Sequence, residues 1–388
     1  MIFTDPLPAA DELRRRLRAA HYADETLCVD SLVPQARLSP EPAARVGAVA
    51  ARLVEQVRRH PPHGLDAFLH EYRLTSQEGV VLMCLAEALL RVPDTETRNR
   101  LIRDKIVPAD WAGHLGRSDS VLVNASTWAL MLTGRLMAGG DEAKGIARRL
   151  VAQGGEPVIR QAVTQAMRIM GRQFVMGRTI GEALTRARDG EAKGYRHSFD
   201  MLGEAACTEA DALRHMESYR QAIQAIGQAA AGRGWREGPG ISVKLSALHP
   251  RFEYAQRGRV MAELVPRLAE LVHLARRHEV GLTVDAEEAD RLDLSLDVIE
   301  AVALMDSGGG DGFGLAVQAY QKRALPLLDW LADLARRSRR RLAVRLVKGA
   351  YWDTEIKRAQ ERSLPGYPVF TRKVSTDVSY LACARRLL

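Results

Sequence analysis

Apolar residues recur at helical spacing through the first half of the chain, with boundaries marked by caps and Pro/Gly turns. The spacing predicts helices over Leu13 to Arg18, Ala43 to Arg59, Ser76 to Arg91 and Thr95 to Lys105, then over Ser120 to Met137, Glu142 to Ala152, Pro157 to Met170 and Thr179 to Arg188. Thr75 with Glu78, and Thr179 with Glu182, have the spacing of capping boxes, and Pro93-Asp94 ends a helix. Two small helical units are expected, over 1–54 and 55–175.

After about residue 190 the period changes. Short β-prone runs at Arg196 to Phe199, Ile241 to Leu245, Gly281 to Val284, Gly314 to Val317 and Leu342 to Val347 alternate with helical stretches near Thr208 to Ala230, Val260 to Arg277, Arg291 to Met305 and Leu325 to Arg337. That alternation is the pattern of βαβ units around a parallel sheet, and strands this short and apolar suit burial on both faces. The fold class is α/β, and five such units fit either a doubly wound sheet or an unfinished (β/α)8 barrel.

The residue that ends each strand is the informative feature. Asp200, Lys244, Asp285 and Gln318 close the first four runs, and Arg345 and Lys348 punctuate the fifth. In a parallel barrel these ends share the face on which active sites are built, so the polar groups should converge on one mouth. Cations there beside Asp200, Glu204 and Asp285 favour an anionic ligand, or one that gains negative charge during reaction.

Composition narrows the field. The chain has 388 residues, 46% of them hydrophobic, enough for a globular protein with a large core and a smaller one. The most apolar stretch, Gly79 to Leu90, is interrupted by Glu87 and is too short to span a membrane, and the acidic start carries no signal-peptide pattern, so a cytoplasmic protein is expected. Cys28, Cys84, Cys207 and Cys383 are scattered, without a CxxC pair. A net charge of +8 invites polyanions, but the densest basic run, Arg336 to Arg341, sits at a helix C-terminus, where cations complement the dipole; no specific nucleic-acid site is expected. Asp285-Ala286-Glu287-Glu288 lacks a nearby His or Cys to complete a transition-metal set, so no metal is expected. Gly308 to Gly312 precedes a strand and does not fit GxGxxG, which makes it a plain loop.

From about Gly154 onward, ordered blocks resemble the proline dehydrogenase part of the bacterial proline utilisation A flavoenzymes. They are Ser198 to Ala205 (SFDMLGEA), Lys244 to Pro250 (KLSALHP), Asp285 to Glu288 (DAEE), Gln318 to Arg323 (QAYQKR), Arg345 to Asp353 (RLVKGAYWD) and Thr371 to Val374 (TRKV). The first half is similar to that family's arm and α-domain through Ser76 to Gly79 and Ile102 to Lys105. The resemblance implies a helical arm over 1–54, an α-domain over 55–175 and a partial (β/α)8 barrel over 176–388. It also implies FAD at the strand ends and oxidation of L-proline to Δ1-pyrroline-5-carboxylate by hydride transfer from proline C5 to flavin N5. The electrons then pass to a membrane quinone, which implies peripheral association with the inner face of the membrane; a homo-oligomer is compatible with this.

The same resemblance implies roles. Arg345 stabilises the reduced flavin near N5. Gln318, Val347, Lys348, Gly349, Ala350, Trp352, Thr371 and Arg372 hold FAD. Lys244 faces the proline carboxylate, Tyr351 walls the pocket, Asp285 orients its neighbours, Glu204 helps to gate the substrate, and Asp200 joins the catalytic group. The family's last three βα units and its aldehyde dehydrogenase domain are not in this sequence. The chain is therefore expected to be a fragment that stops after the fifth βα unit, to lack two carboxylate-clamping arginines and to bind proline poorly. Two other readings fit the strand ends or the charge without fitting the blocks: a different flavin or phosphate-binding barrel enzyme, and a non-catalytic basic scaffold or nucleic-acid binder.

Overall fold

The computed structural model describes residues 9–59, 96, 97, 100, 175–202, 205–305 and 310–388. The expected helices between 76 and 170 lie outside these, except for three helical positions, 96, 97 and 100. Glu204, Cys84 and Gly308-Gly309 lie outside them as well. The chain divides into two units, 1–40 with 187–388, and 41–186. The described part of the second unit holds most of α3 (Pro40–Arg59), an exposed helix. It also holds the start of α4 (Ile180–Glu191), where Thr179 Oγ1 accepts the Glu182 N–H and Arg186 donates to the Val175 and Met176 carbonyls.

The first unit is built on one parallel sheet of β1 (Ser198–Asp200), β2 (Gly240–Val243), β3 (Gly281–Val284), β4 (Phe313–Gln318) and β5 (Ala343–Val347), paired in sequence order. Parallel neighbours need crossovers, and helices supply them: α5 (Glu209–Ala230), α6 (Arg257–Arg277), α7 (Leu292–Met305) and α8 (Ala324–Ser338). Local chemistry sets their ends. Thr208 and Asp211 form a reciprocal capping box at the start of α5, and Ala231 closes it in the left-handed conformation. Leu282, Val284, Phe313, Leu315 and Val317 are almost fully buried beneath these helices.

Several expectations need correction. Strand β2 ends at Val243 rather than Leu245, because Leu245–Leu248 turns into one helical turn whose Ser246 N–H is taken by the Glu287 carboxylate. Two helices, α9 (Trp352–Glu361) and α10 (Lys373–Leu387), follow β5 where one was expected. The segment α2 (Glu25–Ala36) is a helix that the periodicity did not announce; Asp24 caps it and Pro34 stands inside it. In the basic run, Arg336 and Arg337 pair with Asp333 as a solvated end should, but Arg340 is buried.

The N-terminal helices pack on the sheet unit. In α1 (Glu12–Ala19), Arg14 is buried, bonded to Asp297 and stacked over Trp330, while Asp293 collects Arg18 and Arg323. Helix α2 lays Leu32, Cys28 and Val29 against Phe370, Val378 and Ala382.

His21, between α1 and α2, has a buried Nδ1 without a hydrogen-bond partner, and burial together with the Arg323 charge pushes its pKa down to about 4. The folded state favours the neutral ring. An unfolded histidine titrates near 6.5, so stability is full above that pH and is lost as the pH falls from there towards 4, by about 1 kcal/mol or more. Urea midpoints measured against pH should show this limb in the native protein and a flatter one in His21→Phe. Identical slopes would assign the loss to other groups.

Candidate functional site

Side chains alternate along a strand, so Ser198 and Asp200, Ser242 and Lys244, and Thr283 and Asp285 line one face of the sheet at residue spacing two, as do Ala316 with Gln318 and Arg345 with Val347. The register pairs Asp200 with Ser242, Ser242 with Thr283, and Ala316 with Arg345, which brings the polar ends of β1, β2, β3 and β5 together.

The group they form is a continuous ionic network. Lys244 Nζ donates to Asp200 Oδ1 at 2.8 Å, Asp200 Oδ2 at 2.9 Å and Asp285 Oδ2 at 2.8 Å. Arg345 bonds the other oxygen of Asp285 through Nη2 and donates from Nη1 to Ser242 Oγ at 2.8 Å. Ser242 in turn meets Ser198 Oγ at 3.2 Å. Burial disfavours the Lys244 ammonium, yet its bonds to Asp200 and Asp285 outweigh that and hold its pKa above the usual lysine range. Two cations thus face two carboxylates in a half-dry site, each cation held in a fixed direction by its carboxylate partners.

Gln318 does different work on the same face. It is buried, donates to the Glu287 carbonyl at 2.9 Å and accepts the Ala350 N–H at 3.1 Å, so it pins the loop after β5 to the loop after β3. In that loop Lys348, Gly349 and Ala350 are exposed. Gly349 has φ +142° and an added Cβ would fall 2.4 Å from the buried Tyr320 ring, so no side chain fits there. Trp352 donates its indole N–H to the Phe370 carbonyl at 2.9 Å, and the Thr371 N–H is accepted by Glu25 of α2 at 2.9 Å. Val347 lies at the end of β5, partly exposed, and Tyr351 caps α9.

The structure therefore gathers Asp200, Lys244, Asp285 and Arg345, places Gln318, Val347, Gly349, Ala350, Tyr351, Trp352, Thr371 and Arg372 around the loops beside them, and sets Lys348 apart. Lys348 Nζ pairs with Asp377 of α10 at 2.5 Å instead of joining the ionic mouth. Glu204 lies outside the described residues. Sequence reasoning missed Ser242, which holds Arg345, and Tyr219, whose hydroxyl accepts the Lys244 N–H at 3.2 Å. The first had a signal: a serine inside the apolar run of β2, two residues before Lys244.

Comparison with known proteins gives three family models along the chain. Residues 183–388 match proline dehydrogenase, 64–174 match the DNA-binding domain of proline dehydrogenase, and 11–58 match the proline utilization A proline dehydrogenase N-terminal domain. The chain is 56% identical over 384 residues to the bifunctional protein PutA of Salmonella typhimurium, covering 97% of this chain and 29% of that protein. It is 52% identical over 383 residues to that of Rhizobium meliloti, covering 98% of this chain and 31% of that one. The chain thus spans under a third of the length of these relatives. A crystal structure of a mutant Bradyrhizobium japonicum proline utilization A is similar across 100% of this chain and 38% of its own, with a TM-score of 0.69 and 45% identity.

Proposed function

Because the chain belongs to the proline dehydrogenase family, in its proline utilisation A branch, we propose that it oxidises L-proline to Δ1-pyrroline-5-carboxylate with FAD. The observation that carries this reading is the Lys244–Asp285–Arg345 network at the C-terminal ends of parallel strands, inside the segment matched by the family model. An amino acid brings a carboxylate, and the network supplies a buried ammonium to meet it.

The residues around the network also fit the cofactor. Thr371, Arg372, Lys373 and Val374 are exposed at the start of α10, and its N-cap Arg372 puts no side-chain acceptor on the first amides. Free amides and a guanidinium at a helix N-terminus are the donor set a diphosphate takes. FAD, when bound, supplies the ring that accepts the two electrons leaving proline. Arg345 provides a fixed cation for the charge that builds during that transfer, held by Ser242 and Asp285 so that it needs no reorganisation. Lys244 anchors the substrate carboxylate, Asp285 keeps both cations in place, and Tyr351 closes one side of the pocket. Gln318, Val347, Gly349, Ala350, Trp352, Thr371 and Arg372 hold the cofactor, with Lys348 at its outer rim and Glu204 gating entry.

The division into an arm over 1–54, an α-domain over 55–175 and a barrel part over 176–388 is supported by the three separately matched segments. A membrane quinone as acceptor fits the chemistry of a two-electron flavin reaction, with the protein cytoplasmic and peripheral to the membrane. No helix among the described residues is long and apolar enough to cross one.

The test is anaerobic addition of L-proline to the protein supplied with FAD. Because weak proline binding is expected of this chain, L-proline is added at saturating concentration: the flavin's visible absorbance should bleach with L-proline and persist with D-proline, and persistence with both at saturation would remove the reading. A second reading, nucleic-acid binding, is favoured only by the description of the model matched over 64–174. Retention of a labelled duplex at high salt would support it, since purely electrostatic attraction to a basic chain disappears there.

A further inference from the structure

Glu287 lies in the loop after β3, and its side chain is only 5% exposed. A carboxylate at that depth is costly, and burial pushes its pKa above the usual carboxylate range. What it holds explains its place. Oε1 accepts the Ser246 N–H at 3.0 Å, in the turn that follows β2, while Oε2 accepts from Arg291 Nη1 at 3.2 Å. Its backbone carbonyl accepts from Gln318 Nε2 at 2.9 Å, and Gln318 Oε1 accepts the Ala350 N–H at 3.1 Å in the loop after β5. The hydrogen bonds therefore run without a break from Ser246 through Glu287 and Gln318 to Ala350.

Both ends of this run lie beside the site. Ser246 stands two residues after Lys244, and Glu287 two residues after Asp285. The bond between Ser246 and Glu287 is thus a second tie between loops already joined by Lys244 and Asp285 at 2.8 Å. Ala350 follows Gly349, where an added Cβ would strike the Tyr320 ring. The substrate anchor is linked to the cofactor loop by bonds that involve neither ligand.

We propose that Glu287 is a positioning residue that sets the separation between Lys244 and the loop at Gly349 and Ala350, and so aligns proline against the flavin. The inference rests on the reading of Lys244 as the carboxylate anchor and of that loop as part of the FAD site. Glu287 acts through the turn at Ser246 on one side and through Gln318 on the other. Hydride transfer is steep in the alignment of its two partners, and a displacement of roughly 1 Å costs on the order of a hundredfold in rate. A turn released at Ser246 keeps Lys244 and its charge, so proline still binds, but at a distance from the flavin that is no longer fixed. The loss falls on the transfer step and spares affinity.

The experiment is single-turnover flavin reduction in the full chain loaded with FAD, mixed anaerobically with L-proline over a range of concentrations up to saturation. The native protein is compared with Glu287→Gln, Glu287→Met and Glu287→Asp. Glutamine keeps an acceptor at the same reach, methionine keeps the length without one, and aspartate keeps the charge but falls one methylene short of Ser246. The limiting reduction rate of Glu287→Gln should stay within about twofold of the native value, and that of the other two should fall about tenfold, with proline affinity and FAD affinity nearly unchanged. A merely structural loss lowers the fraction of folded protein but leaves the rate constant of the molecules that hold FAD where it was. If the methionine variant does not fold, the aspartate variant carries the comparison. Native limiting rates in Glu287→Met and Glu287→Asp overturn the proposal. Equal slowing in Glu287→Gln also overturns it, because the charge facing Arg291 would then matter and not the bond to Ser246. So does a loss confined to proline affinity. If the native protein itself leaves its flavin oxidised at saturating L-proline, it is the functional reading of the site that fails.

Discussion

Replacing Arg345 with methionine is expected to slow proline-dependent flavin reduction by about two orders of magnitude, close to 3 kcal/mol, which is the usual consequence of removing one preorganised donor from a site of developing charge. The guanidinium is fixed from two sides, by Ser242 at 2.8 Å and by Asp285, and neither partner depends on it alone. Asp285 keeps Lys244, and Ser242 keeps Ser198. The variant should consequently fold, bind FAD and lose rate, with the loss in the reduction step rather than in proline affinity. Methionine matches the length of the apolar stem, whereas Arg345→Lys restores charge without the fork and should recover only part of the rate. Anaerobic rapid mixing followed through the flavin spectrum separates reduction from binding. An unchanged reduction rate would give Arg345 a structural role only.

A second large effect is expected from a residue with no side chain. An added Cβ on Gly314 of β4 would lie 1.9 Å from the carbonyl oxygen of Ala343, its register partner on β5. The obstruction is backbone on a paired strand and cannot rotate away. Gly314→Ala should therefore cost about 3 kcal/mol, at the upper end of overpacking penalties. Strand β5 has to move, and Arg345 stands two residues past Ala343 on that strand. Thermal unfolding should show the loss of stability. Flavin reduction under conditions where the variant remains folded should also slow, because the donor has shifted from Ser242 and Asp285. A variant as stable as the native protein would mean that the two strands can separate without consequence for the sheet.

The parallel sheet was legible because each strand is a short apolar run closed by a polar residue, and strand ends on the C-terminal face of a parallel sheet are where Asp200, Lys244 and Asp285 were expected to meet; that they also share one face follows from the register. Less legible was everything that depends on a distant partner. Helix α2 carries a proline and a weak apolar stripe, and it is helical because Leu32, Cys28 and Val29 find Phe370 and Ala382, more than 300 residues away. Lys348 resembles the other strand-end cations in sequence, but one residue of offset from Val347 turns it to the opposite side, onto Asp377. Ser242 was passed over as a strand residue among apolar neighbours, although its hydroxyl is one of the two groups that fix the direction of Arg345.

The bond from the Thr371 amide to Glu25 spans 346 residues of chain, and the packing of α2 against α10 has nearly the same span. On the ribosome the first helices emerge long before the surface that will cover them. Closing a loop of that size costs about 5 kcal/mol in chain entropy, which only the contacts formed at the end repay. The nascent α2 must therefore wait with its apolar residues uncovered, and refolding should be slow, with the Thr371 loop among the last parts to order. The segment that resembles the cofactor cradle is thus completed by a helix made some 346 residues earlier, so that competence to bind would appear only once Thr371 and α10 have emerged and closed on α2.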